Sequence, residues 1–296
     1  MSLFAILLPL VAQVGPFTAP GTRGTPFEQK VERPSRSKAV AAPAALPTPS
    51  VRTARGQDCL GAVDDDAEGA LDLANQWLAT AKGADRAEAR LCLGLAHSRL
   101  EDWPEAEGAF LAGRDEAGAD RLLRARLGAM AGNAALAAGA SDRALAALDQ
   151  ARTDVKGLAS PDLEADIALD RARALVALKR DAEAEDALAD ARTAAPDSAE
   201  AWLLSATLAR RTGKLAEAQA RIERAAALMP VDPAIGLEAG VIAMLSGHEQ
   251  AARKSWESVI KAAPDSAEAN TAKGYLAQLG PTPSGTTPAP AASGGR

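Results

Sequence analysis

Residues 194–201 read AAPDSAEA, and residues 262–269, 68 positions further on, read AAPDSAEA again. The octapeptide has the grammar of a joint between two helices. Its proline lacks a backbone donor and stops the helix that precedes it. The Asp-Ser-Ala-Glu that follows opens another, with Asp197 and Glu200, and again Asp265 and Glu268, forming capping-box-like pairs. Recurrence at twice 34 residues predicts a helical repeat of that period.

A 34-residue frame fits repeats beginning at Ala87, Ala125, Ala165, Ala199 and Pro233. The last three abut, whereas residues 121–124 and 159–164 separate the earlier ones. Position twenty is Ala106, Ala144, Ala184, Ala218 and Ala252. Position eight is Gly94, Gly132, Ala172, Ala206 and Gly240, always small. Position twenty-four is Phe110, Leu148, Leu188, Ile222 and Trp256, always large and apolar. Position twenty-seven is Gly113, Ala151, Ala191, Ala225 and Val259, and position thirty-two is Pro196, Pro230 and Pro264 in the last three repeats.

Each column has a physical reason. Antiparallel helices approach to about 8–10 Å only where facing side chains are small, which positions eight and twenty supply. The large residue at twenty-four is expected to fill space against the next repeat. Gly139, Gly213 and Gly247 stand at position fifteen, where the turn between helices favours positive φ. In the first repeat Asp102-Trp103-Pro104-Glu105 opens the second helix instead, with proline tolerated in the first turn.

Across about 190 residues this pattern resembles the tetratricopeptide-repeat family, in its exported bacterial form. Trp202 alone keeps the family tryptophan at position four, and position eleven holds His97, Ala135, Leu175, Ala209 and Ala243 in place of tyrosine. The resemblance implies an all-α, right-handed superhelical solenoid of antiparallel helix pairs. It covers 59–280, with repeats near 87–120, 125–158, 165–198, 199–232 and 233–266 and a capping helix at 267–279. A lone N-terminal helix is expected over 65–82, after a cap region at 64–66, with Ala70, Ala74 and Trp77 on one face.

The resemblance also implies a groove lined by first helices that takes a peptide or a partner protein. The residues at its groove-facing positions include Leu91, Leu95, Arg99, Asn133, Leu136, Leu169, Arg173, Val176, Leu203, Thr207, Arg210, Arg211, Leu237, Val241 and Met244. An apolar strip with arginines suits a segment carrying carboxylates, because guanidinium matches carboxylate geometry. The same arginines read equally as solvated charges on an alanine-rich surface. Family members that clamp chaperone C-termini pair asparagines at position nine; here Asn133 is followed by Arg173, so that activity is not implied.

Composition agrees with a helical binding protein. Alanine and leucine dominate, and β-branched residues are sparse. The net charge of −6 and the nine aromatic residues speak against phosphate-driven nucleic-acid binding and base stacking. The termini differ from the interior. The apolar run 3–12 fits the h-region of a signal peptide ending near residue 14, and is too short to cross a bilayer; an uncleaved membrane-associated segment is the other reading. Residues 15–58 hold seven of the 18 prolines and a charge balance of +4, the composition of a disordered spacer; 281–296 reads as a disordered tail. Any membrane contact is confined to the N-terminal segment.

No catalytic residue, cofactor or metal site is indicated. Of the two histidines, His97 stands at a packing position and His248 in a turn. No phosphate-binding loop, nucleophile elbow or zinc-protease motif occurs. Cys59 and Cys92 lack metal-ligand spacing. In an exported chain they could form a disulfide between the N-terminal helix and the first repeat; as free thiols, Cys92 would be a small buried apolar residue. The sequence therefore reads as a non-enzymatic, exported, periplasmic interaction scaffold. A subunit that docks into a larger envelope assembly through its end helices or convex face is the alternative.

Overall fold

The computed structural model describes residues 53–280. The expectations for the signal segment, for the spacer up to residue 52 and for the tail 281–296 lie outside the described residues.

Helices α1 (Ala54–Asp65) and α2 (Ala67–Leu78) come first. Five helix pairs follow: α3 (Ala84–Arg99) with α4 (Trp103–Glu116), α5 (Arg121–Ala137) with α6 (Ser141–Val155), α7 (Pro161–Ala177) with α8 (Asp181–Ala194), α9 (Ala199–Arg211) with α10 (Leu215–Leu228), and α11 (Pro233–Leu245) with α12 (Glu249–Ala262). A single helix, α13 (Ala267–Leu279), ends the row. The described residues contain no strand.

The columns of the repeat are the core. The five alanines at position twenty are fully buried. A Cβ on Gly94 would lie 2.4 Å from Phe110 Cε1, one on Gly132 2.5 Å from Leu148 Cγ, and one on Gly240 2.1 Å from Trp256 Nε1. The large side chain at position twenty-four thus lies on the small residue at position eight of its own repeat. It also reaches the next unit, as expected: Phe110 shares a cluster with Leu127 and Ala131 of α5, and Ile222 with Ile235 of α11. Close approach of two helices explains both columns at once, since the missing Cβ is the space the large side chain occupies.

Two joint details differ from the sequence reading. The octapeptide's serine, not its aspartate, is the cap: Ser198 Oγ accepts from the Ala201 N–H at 3.2 Å, and Ser266 Oγ from the Ala269 N–H at 3.0 Å. Position fifteen has positive φ in every repeat, including Glu101 (62°) and Lys179 (60°) beside Gly139, Gly213 and Gly247. The turn imposes that conformation whether or not glycine is present, at a strain cost where it is not.

The N-terminal expectation is corrected. In place of one helix over 65–82 there are two, and α1 begins at Ala54, inside the stretch assigned to the spacer. Thr53 Oγ1 accepts from the Gly56 N–H at 3.1 Å and so caps α1. Gly56, Cys59 and Val63 form its buried stripe. The break falls at Asp66, whose carboxylate accepts from the Gly69 N–H at 2.9 Å and starts α2. Ala70, Ala74 and Trp77 face inward.

Arginines bridge successive units. Asp154 at the end of α6 receives Arg114 of α4 at 2.8 Å and Arg124 of α5 at 2.9 Å. At the far end the Trp256 and Tyr275 rings lie 5.0 Å apart. Arg253 donates to the Gly280 carbonyl at 2.9 Å, satisfying an acceptor that the end of α13 leaves open.

Candidate binding face

The first helices of successive repeats meet through side chains at the positions implied to line the groove. Asn133 of α5 lies beside Asp170 of α7 and favours its charged form. Arg173, one turn on, donates to Asp170 and to Glu200 of α9. Arg210 Nε of α9 donates to Glu238 Oε1 of α11 at 2.7 Å. A line of polar contacts therefore runs Asn133–Asp170–Arg173–Glu200, with Arg210–Glu238 beyond it.

This geometry sorts the sequence-derived residues. Leu95, Asn133, Leu136, Val176, Leu203, Thr207, Leu237 and Met244 are half-buried, and Arg99 and Arg211 are exposed. Three assignments are corrected outright. Leu91 is fully buried beside Phe110 and Leu127, and Val241 and Leu169 are buried as well. Their helices turn these positions into the core, so they cannot line a surface. Arg210 is also corrected. Its side chain is 4% exposed and its partner Glu238 11%, so it closes a joint between repeats and is not offered to a ligand. Arg173 is half-exposed, but its guanidinium already holds two carboxylates of its own chain.

The acids on this face were the missed feature. Asp162, Asp166 and Asp170 repeat every four residues along α7 and so share one face, and Glu200 comes to them from α9. Burial pushes the Asp166 carboxyl up to about 6, with Asp170, Glu200 and Asp162 adding to the rise and Arg173 opposing it. Asp170 is shifted the same way, chiefly by burial, against the pull of Arg173. Arg173 acts on Asp166, Asp170 and Glu200, and Asp162 adds its charge to that of Asp166, so acids outnumber the one guanidinium in the middle of the face. The legible cue was an ionisable residue inside an otherwise apolar run, as in Ile167-Ala168-Leu169-Asp170.

Both histidines lie at or beside turns between helices. His97 Nδ1 lies 3.4 Å from Asp102 Oδ2 at the turn between α3 and α4, and His248 is exposed at the start of α12. Cys59 of α1 and Cys92 of α3 are bonded through their sulfurs, with Cα atoms 6.2 Å apart. No cluster of three or more metal-ligating side chains occurs among the described residues, and no described helix is long and apolar enough to cross a membrane.

No family model and no curated protein matches the chain. Solved structures do. PilW, a type IV pilus biogenesis factor, is similar at 17% identity with a TM-score of 0.61, over 73% of this chain and 96% of that one. PilF of Pseudomonas aeruginosa is similar at 15% identity and a TM-score of 0.59, over 75% and 96%. TTC0263, a TPR protein of Thermus thermophilus, is similar at 19% identity and a TM-score of 0.51, over 65% and 99%. The fold is that of a tetratricopeptide-repeat solenoid. In that fold α3, α5, α7, α9 and α11 are the first helices of the five helix pairs, and the acidic residues lie on α7 and α9.

Proposed function

We propose that this tetratricopeptide-repeat chain is a non-enzymatic interaction scaffold of the bacterial cell envelope, whose first-helix groove holds a segment of a partner protein. The observation that carries the reading is the shared face itself: half-buried Leu95, Leu136, Val176, Leu203, Leu237 and Met244 alternate with an acidic centre at Asp162, Asp166 and Glu200. A preformed surface of stacked repeats suits an extended partner. The charge reverses the carboxylate-seeking groove expected from the arginines, because Arg173 and Arg210 are occupied by the chain's own acids. A partner segment bearing lysine or arginine fits better. The apolar run at 3–12 and the likeness to a type IV pilus biogenesis factor support the envelope placement.

A second reading, docking outside the groove into a larger assembly, has one observation in its favour. Met229 and Val231 are 50% and 78% exposed in the loop joining α10 to α11, where the octapeptide has alanine and aspartate. Quantitative capture from envelope extract, with mass spectrometry, separates the two. Asp162→Ala with Asp166→Asn and Glu200→Gln is expected to lose at least about tenfold in capture, and Met229→Ser with Val231→Asp to lose little, helicity being unchanged in both. The reverse pattern supports the second reading, and capture unaffected by either variant rejects the groove.

A further inference from the structure

The sequence of α1 supports its own helix poorly. Gly61 lies in its interior, where glycine is unfavourable; a Cβ there would meet nothing within 4 Å, so no packing demands a glycine. Asp64 and Asp65 occupy the last turn and no basic residue does, opposite to what the helix dipole favours. Twelve residues are marginal for an isolated helix. Only Gly56, Cys59 and Val63 are buried. Three side-chain links fasten α1: a hydrogen bond from Thr53 Oγ1 to Glu88 Oε2 at 3.1 Å, an exposed one from Arg55 Nη1 to Thr80 Oγ1 at 3.4 Å, and the bond from Cys59 to Cys92, the one covalent tie. That bond reaches into an apolar cluster of Ala70, Ala74, Leu93 and Ala96.

We propose that the Cys59–Cys92 pair is a redox clasp that makes docking of α1 conditional on oxidation, so that the N-terminal end of the solenoid closes in an oxidising compartment and opens in a reducing one. The proposal takes its setting from the export reading above but tests a property of the chain itself. The oxidant is a disulfide-bearing donor, a protein or a small molecule. The Cys59 thiolate attacks one donor sulfur and expels a donor thiolate, giving a mixed disulfide. The Cys92 thiolate then attacks the Cys59 sulfur and expels the second donor thiolate. Two cysteine thiols lose two protons and two electrons, and the donor disulfide is reduced to two thiols. Cys59 is 2% exposed and Cys92 fully buried, so neither sulfur can be reached while α1 is docked. Exchange therefore takes place with α1 lifted, and reduction of the folded protein waits on that lifting.

Hydrogen exchange with mass spectrometry on the full chain tests this, comparing the form oxidised by glutathione disulfide with the form reduced by a phosphine. Amides of 54–65 are expected to exchange about a hundredfold faster after reduction, while α5 to α12 stay unchanged. Cys59→Ala is expected to match the reduced form under both conditions, and Gly61→Ala added to it to recover part of the protection. Equal protection of α1 in both forms overturns the clasp, as does alkylation of both thiols after oxidation. Compartment is read separately by fractionation: recovery from the cytoplasm alone, with the exchange result as expected, removes the export reading and leaves the clasp standing.

Discussion

At the scale of single residues, Asp166 links the fold to the acidity of its surroundings. Its carboxyl is raised from 3.8 to about 6 by burial and by the neighbouring Asp170, Glu200 and Asp162, with Arg173 opposing. A carboxyl with a higher pKa in the folded chain binds its proton more tightly there than in the unfolded chain, so protonation favours folding. Between 3.8 and about 6 the unfolded chain has released the proton and the folded chain keeps it. This group's contribution to stability is therefore present at the acid end of that window and is lost as pH rises through it. Asp166→Asn is expected to flatten that part of the profile and to be more stable than the parent at pH 7, by under about 1 kcal/mol because solvent screens a partly exposed site. Urea melts of both proteins at several pH values across the window check this; parallel profiles would show that the site is relaxed. The apolar run before Asp170 was the one cue in the sequence; the Asp162, Asp166, Asp170 spacing by itself reads as an ordinary solvated face. Burial depends on how α5 and α9 flank α7, which no local pattern encodes. Lys179 and Glu101 escaped for a related reason: the positive φ belongs to the turn, and only glycine advertises it.

At the scale of elements, the joints decide what is legible. The ends of α8, α10 and α12 follow from the prolines at position thirty-two, and the starts of α9 and α13 fall one residue later than the aspartate suggested, capped by Ser198 and Ser266. The start of α1 was not legible, because proline and basic residues upstream give its surroundings the composition of a spacer and the only cue is a threonine before a short stripe. Partner choice across a joint was also hidden. Arg210 stands at a position implied to face a ligand, yet it is buried against Glu238 of the next first helix at 2.7 Å. Desolvating two charges is repaid only by their mutual contact, so losing one partner leaves the other stranded. Arg210→Met or Glu238→Leu alone is expected to cost about 3–5 kcal/mol. Arg210→Met with Glu238→Leu is expected to return close to the parent stability. Denaturant melts of the four proteins form the cycle. A double variant as unstable as the sum of the singles would mean the two side chains act independently.

At the scale of the whole molecule, five helix pairs stand where the columns lie, whereas the sign of charge on the shared face emerged only once α7 and α9 were brought together. Stacking has a further consequence. Each helix pair in a solenoid is supported by its immediate neighbours, so stability is distributed along the row and not pooled in one centre. The C-terminal end depends on Tyr275, almost fully buried in α13 against Trp256 of α12, and Trp256 in turn covers Gly240 of α11. Truncating a buried aromatic costs about 3–5 kcal/mol. Tyr275→Ala is therefore expected to loosen α11 to α13 and to leave α3 to α6 as they were. Hydrogen exchange should show faster amides over 233–279 and unchanged ones over 84–155, and a denaturant melt should split, with the C-terminal repeat leaving first. A uniform loss of protection reaching α3 would instead mean that the arginine bridges, such as Arg114 and Arg124 on Asp154, bind the repeats into a single cooperative block. The split is the stronger expectation, because those bridges join adjacent units and none spans the row.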